Sequence, residues 1–91
     1  MTERVQLGTA VTLAPNTSFA IAFNAAKEGY KAVGVGGYST ENRNSANDIH
    51  ISGVLPSVDG KTIYMLGKYT NQSYSSTIPK TAVVVVQYEK I

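Results

Sequence analysis

Apolar side chains recur at every second position through most of this chain, and no segment carries an apolar stripe at helical spacing for three turns. That pattern predicts an all-β protein. In residues 17–24, Phe19, Ile21 and Phe23 share one face while Ser18, Ala20 and Ala22 share the other, as expected of a strand with one side on the core. Residues 48–55 repeat the pattern with Ile49, Ile51 and Leu55 inward and Asp48, His50 and Ser52 outward. In 61–69, Ile63, Met65 and Tyr69 oppose Tyr64, Leu66 and Lys68, with both faces fairly apolar. Further strands are expected at 30–38 and, as the first of the chain, at 9–13. Ala14-Pro15-Asn16-Thr17 forms the turn after that first strand, and 56–60 closes a hairpin through Asp59-Gly60.

The last segment, 81–90, differs from the others. Val83 and Val85 point one way and Ala82, Val84, Val86 and Tyr88 the other, so both faces are apolar, as in a central strand covered on both sides. One cover is the second sheet of a sandwich. The other is either a neighbouring subunit or a lid of loop residues. The expected fold is a small antiparallel β-sandwich of about six to seven strands, forming one domain over residues 1–91.

Chain direction follows if each connection reverses the strand before it. The turn at Pro15-Asn16 and the segments 39–47 and 70–79 then fall at one end, the top. The turns 25–29 and 56–60 fall at the bottom with both termini. The two long top segments are rich in Tyr, Asn and Ser, and loops held on a rigid scaffold are where binding residues concentrate. Tyr38, Asn42, Arg43, Tyr69, Asn71 and Tyr74 are therefore the candidate ligand contacts. Such a set suits a sugar, with rings stacked on the C–H face of a pyranose and amides paired with its hydroxyls. It also suits a protein partner, for which Tyr and Arg are common anchors. Asn, Ser and Gly in these segments equally serve the turns themselves.

Composition narrows the chemistry. The chain has 91 residues and no cysteine, which leaves no disulfide and no thiolate chemistry. A domain this small buries only about 60 to 65% of its unfolded surface, so a homo-oligomer, with a trimer favoured, that makes contact through 81–88 is an expected source of added stability. Eight Lys and Arg against six Asp and Glu give a formal charge of +2, scattered along the chain. Nucleic-acid binding needs a concentrated basic stripe, so none is expected. The apolar run 82–86 is too short to cross a bilayer, and Met-Thr-Glu-Arg lacks the apolar core of a signal peptide, so a soluble protein made in the cytoplasm is expected.

Little in the sequence points to catalysis. His50 is the single histidine, two residues from Asp48 on the same strand face, and Gly-x-Ser-x-Gly is absent. One His and one Asp fall short of the three protein ligands usual for catalytic zinc, so His50 reads as a surface or subunit-contact residue. Gly34-Val35-Gly36-Gly37 lacks the Gly-x-Gly-x-x-Gly spacing of a phosphate loop and reads as close packing or a bulge. Asn16-Thr17-Ser18 and Asn71-Gln72-Ser73 match the glycosylation sequon by pattern alone. A non-enzymatic protein without metal or cofactor is expected.

The succession TAVTLAPNTSFAIAF, KEGYKAVGVGGYST, IHISGV, KTIYMLGKYTNQS and TAVVVVQYEKI resembles the small β-sandwich domains at the C-terminal ends of bacteriophage and prophage tail-fibre and minor structural proteins. The likeness runs from Thr9 onward and is carried best by Gly29-Tyr30 leading into an Ala/Val/Gly strand, the corner at Tyr69 to Asn71, and the closing Gln87-Tyr88-Glu89-Lys90. It implies a virion protein assembled in the bacterial host cytoplasm, often trimeric, that recognises host-surface carbohydrate. The alternative it implies is a structural virion component, a capsid decoration or baseplate piece, that binds other virion proteins.

Overall fold

The computed structural model describes residues 1–42 and 47–91, and among these there are eight strands and no helix. They are β1 (Thr2–Gln6), β2 (Val11–Leu13), β3 (Thr17–Asn24), β4 (Tyr30–Ser39), β5 (Ile49–Pro56), β6 (Thr62–Tyr69), β7 (Ser76–Ile78) and β8 (Val83–Lys90). In β3 the alternation is used as the sequence predicts: Ile21 and Phe23 are buried and Phe19 partly so, while Ser18, Ala20, Ala22 and Asn24 are exposed. Full burial of a side chain such as Phe23 contributes about 1.5–3 kcal/mol, against about 1–2 kcal/mol for ordering one residue of backbone. The odd positions therefore hold this strand in place.

The strands form a sandwich of two three-stranded antiparallel sheets, ordered β1-β8-β4 and β3-β6-β5, with a two-stranded β2-β7 ribbon. The core between the sheets is built from Ile21, Phe23, Ile63, Met65 and Tyr69 on one side and Ala32, Val84, Val86 and Tyr88 on the other. Leu7, Leu13 and Ile78 extend it. The molecule is long in one direction, 46 × 21 × 18 Å.

One pairing explains both that length and the extra strands. Thr2 faces Gln87 in β1-β8 and Val11 faces Ile78 in β2-β7, so the steps along the two arms match residue for residue. The link is kept by Leu7 N–H donating to the Ala82 carbonyl (2.9 Å). β1 and β2 are thus two halves of one arm, and β7 and β8 two halves of the other. The ladder breaks where Ala82 N–H turns back to the Pro79 carbonyl (3.0 Å).

Four expectations are corrected here. The first strand is β1, ahead of the expected 9–13: its Thr-Glu-Arg-Val-Gln sequence has one apolar residue, and pairing with β8 holds it where burial does not. The segment 70–79 is not all loop, since it contains β7. Leu55 is exposed and Val54 packs on the core, because a bulge between Ile51 and Gly53 reverses the side-chain alternation beyond it. The strands number eight, against six to seven. Chain direction survives these changes, because β1 runs on into β2 and β7 into β8 without reversing.

Along β8 it is Val84, Val86 and Tyr88 that face the core, with Ala82 just ahead of the strand. On its outer face Val83 is buried between Gln6 and Ser39, and Val85 is half-buried between Arg4 and Gly37. Much of the second apolar face is thus covered within one copy. The glycines of β4 have two uses: bulges fall at Ala32/Gly34 and Val35/Gly37, and a Cβ on Gly34 would lie 2.6 Å from Oε1 of Gln87. Close packing against Gln87 and bulging both apply.

Hydrogen bonds tie the base together. Ala25 N–H donates to the Lys61 carbonyl, Ala32 N–H to Gly60, and Ile91 N–H to Gly29. Tyr88 N–H donates to the Met1 carbonyl (2.7 Å), so both termini lie at this end. The Tyr88 hydroxyl donates to the Ala25 carbonyl (2.8 Å), and its ring meets that of Tyr30 edge-on at 6.4 Å. Lys27 pairs with Glu3 at 3.0 Å, a hydrogen bond and charge that raise the lysine pKa.

Candidate functional site

At the opposite end, three connections meet. Asn16, at φ +51 in the β2-β3 turn, donates its N–H to the Asn71 carbonyl (2.8 Å). Thr70 gives both its N–H (2.9 Å) and its hydroxyl (3.2 Å) to the Asp48 carbonyl. The Asn42 side-chain amide donates to Ser76 Oγ (2.8 Å) and to the Thr77 carbonyl, which brings the start of the 40–48 connection against β7. Glu41, at φ +54, accepts from the Ser39 hydroxyl and donates its N–H back to it.

The six sequence candidates do different things here. Asn71 is a structural hub: its side-chain Oδ1 accepts the N–H groups of Ser73 (2.9 Å) and Tyr74 (2.8 Å), and its side-chain amide donates to Oδ2 of Asp48 (3.2 Å). Asn42 is engaged with β7, as above. Tyr69 is 1% exposed and belongs to the core, so its ring is not offered to a ligand; its hydroxyl reaches out to the Tyr74 carbonyl (2.8 Å). Arg43 lies outside the described residues. That leaves Tyr74, 74% exposed on the loop that Asn71 and Tyr69 pin, and Tyr38, 50% exposed at the end of β4.

Tyr38 also borders an open groove of about 360 Å³, lined with it by Ser39, Thr40, Ile49 and Ile51. The groove exists because β4 and β5 are the edge strands of the two sheets and face one another across the sandwich mouth. Its lining combines the apolar Ile49 and Ile51 with the hydroxyls of Ser39 and Thr40 and the half-exposed ring of Tyr38. Such a groove can take a ring face against the tyrosine while hydroxyls pair with Ser39 and Thr40.

Asp48 and Thr70 were not among the candidates, yet they fasten two top connections together. No local spacing signals that pairing, which joins residues 22 apart; what the sequence does signal is the structural role of Asn71, two and three residues before Ser73 and Tyr74 as in an Asx turn, whose side-chain oxygen accepts backbone N–H groups further on. His50 is exposed on the outer face of β5, opposite Lys68 and 3.4 Å from the Thr70 hydroxyl. Among the described residues no three of His, Cys, Asp and Glu come together. On the outer face of the second sheet, Ala20 and Ala22 lie beside Leu66 and Tyr64, and Tyr64 beside Leu55, all of them exposed. Compared with known proteins, the chain matches no family model, no curated protein and no solved structure.

Proposed function

We propose that this is a non-enzymatic bacteriophage virion module, of tail-fibre or receptor-binding type, that recognises host-surface carbohydrate through its top loops. The observation that carries the reading is Tyr74: a largely exposed ring whose backbone is fixed by Asn71 and Tyr69, at the end opposite both termini. Exposing an aromatic ring to water has no folding benefit, whereas a ring on a pre-ordered loop binds with little loss of entropy. Tyr38 and its groove, at the upper end of β4, supply a second candidate aromatic contact.

A glycan array and a cell-surface binding assay with Tyr74→Ala and Tyr38→Ala test this reading. Each variant should lose binding worth about 1 to 3 kcal/mol while keeping its fold. Val58→Ala, at a fully solvated base position (96% exposed), is the control and should bind as wild type. Loop variants that bind as well as the control, or a wild type that binds no glycan, would overturn it.

The exposed strip of Ala20, Ala22, Leu55, Tyr64 and Leu66 favours a second reading, a structural virion protein that packs this sheet against another virion component. Tight capture of a virion protein, lost in Leu66→Lys but not in Tyr74→Ala, would support that reading over the first.

A further inference from the structure

The two sheets expose four edge strands: β1, β4, β3 and β5. An open edge presents unpaired backbone groups to any other chain, and proteins blunt such edges with charge, proline, bulges or a covering loop. Three of the four carry these devices. β1 has Glu3 and Arg4; β4 has Lys31, two bulges and the Gly60 turn bonded to Ala32; β5 has a bulge and ends at Pro56. β3 carries none of them. Thr17–Asn24 has no charge, no proline and no glycine, and its register with β6 is unbroken over its eight residues.

Which groups face outward follows from the ladder. Ala25 N–H donates to Lys61 in continuation of the β3-β6 register, so the odd residues of β3 bond towards β6. The N–H and C=O groups of Ser18, Ala20, Ala22 and Asn24 then point to the free edge. No backbone partner for these four occurs among the described residues. Their side chains are all small or short, uncharged and exposed.

We propose that β3 is a self-association edge: a second copy of this chain adds its own β3 antiparallel, about a two-fold axis at Ile21. In that register Ser18 faces Asn24 of the second copy and Ala20 faces Ala22, each pair in both senses. Every free donor and acceptor of the four residues is then closed. The odd positions fall on the core side, with Ile21 opposite its own copy and Phe19 opposite Phe23, so the side-chain alternation continues without a flip across the join. No like charges meet. The result is one continuous sheet, β5-β6-β3-β3-β6-β5, in an isologous dimer. The inference does not depend on the carbohydrate reading, because the edge lies along the side of the sandwich and its readout is assembly rather than sugar binding.

The experiment is sedimentation velocity on the full chain across the micromolar range, with amide exchange followed by NMR. The expected result is a dimer, with the amides of Ser18, Ala20, Ala22 and Asn24 gaining protection as concentration rises. Ala20→Pro removes an outward N–H and leaves the β6 ladder intact, since proline is tolerated on an edge whose N–H faces solvent. It should be monomeric with an unchanged circular dichroism spectrum. Should that variant misfold, Ala20→Lys combined with Ala22→Lys sets two like-charged pairs across the axis and keeps every N–H, and it should weaken the dimer about ten-fold or more at low salt. A wild type that stays monomeric overturns the proposal. So does a trimer, as the tail-fibre resemblance implies, or a dimer that leaves those four amides unprotected.

Discussion

The hydroxyl of Tyr69, a ring sealed in the core, donates to the backbone carbonyl of Tyr74, a ring held out in solvent, across 2.8 Å. One tyrosine thus spends its polar end on positioning the loop that displays the other. Tyr69→Phe keeps the packing and removes the bond, and should lower unfolding stability by about 0.5–1.5 kcal/mol. Denaturant unfolding measures this, and an unchanged midpoint would show that the bond contributes nothing net. Any loss of ligand binding in this variant should be smaller than in Tyr74→Ala.

Gly60 and Gly29 offer a matched comparison, since both have positive φ, +71 and +80. A Cβ on Gly29 meets nothing within 4 Å. One on Gly60 would lie 3.0 Å from the Ala32 nitrogen and would also run into the Lys31 side chain. Gly29→Ala should therefore cost about 1 kcal/mol of backbone strain, and Gly60→Ala that plus the clash, about 2 kcal/mol or more. Equal thermal shifts in the two variants would contradict the close approach of the β5-β6 turn to β4.

Val84→Lys separates a core position from a subunit contact. Val84 is fully buried between the sheets, so a lysine there leaves an unpaired charge in the core and should cost about 4 kcal/mol or more, unfolding so small a domain. Val58→Lys should be neutral. A folded Val84→Lys chain that had merely changed its oligomeric state would place this residue at an interface instead.

Tyr88 sets a limit at alkaline pH. Burial, and secondarily the nearby Glu3 carboxylate, push its phenol pKa above the ordinary value near 10. The folded state therefore holds the phenolic proton more tightly than the unfolded chain does. The stability this represents is fully present below pH about 10 and is lost as pH rises through the folded value. Above pH about 10, wild type should destabilise more steeply than Tyr88→Phe, as read by urea unfolding at each pH. Parallel curves would remove Tyr88 from the account.

The sequence alone determined the fold class, the inward faces of β3 and β6, the turns at Asn16 and Asp59-Gly60, and the gathering of the polar segments at one end. These follow from local rules, the period of two and the reversal at each turn, which act on neighbouring residues whatever lies opposite. Tertiary structure decided the rest. β1 exists because β8 offers it a partner, although its own residues bury little. Leu55 points outward because of a bulge in the pairing of β5 with β6. Among the candidate contacts, Asn71, Asn42 and Tyr69 look alike in sequence to Tyr74, yet the first three find hydrogen-bond or packing partners in distant segments, while the ring of Tyr74 is left largely exposed. Edge status divides the same way: β3 reads as an ordinary amphipathic strand until the sheet order leaves one side of it open. A residue's spacing fixes which face it takes, but only the segment brought opposite decides whether its polar groups are already satisfied, and that segment lies far away along the chain.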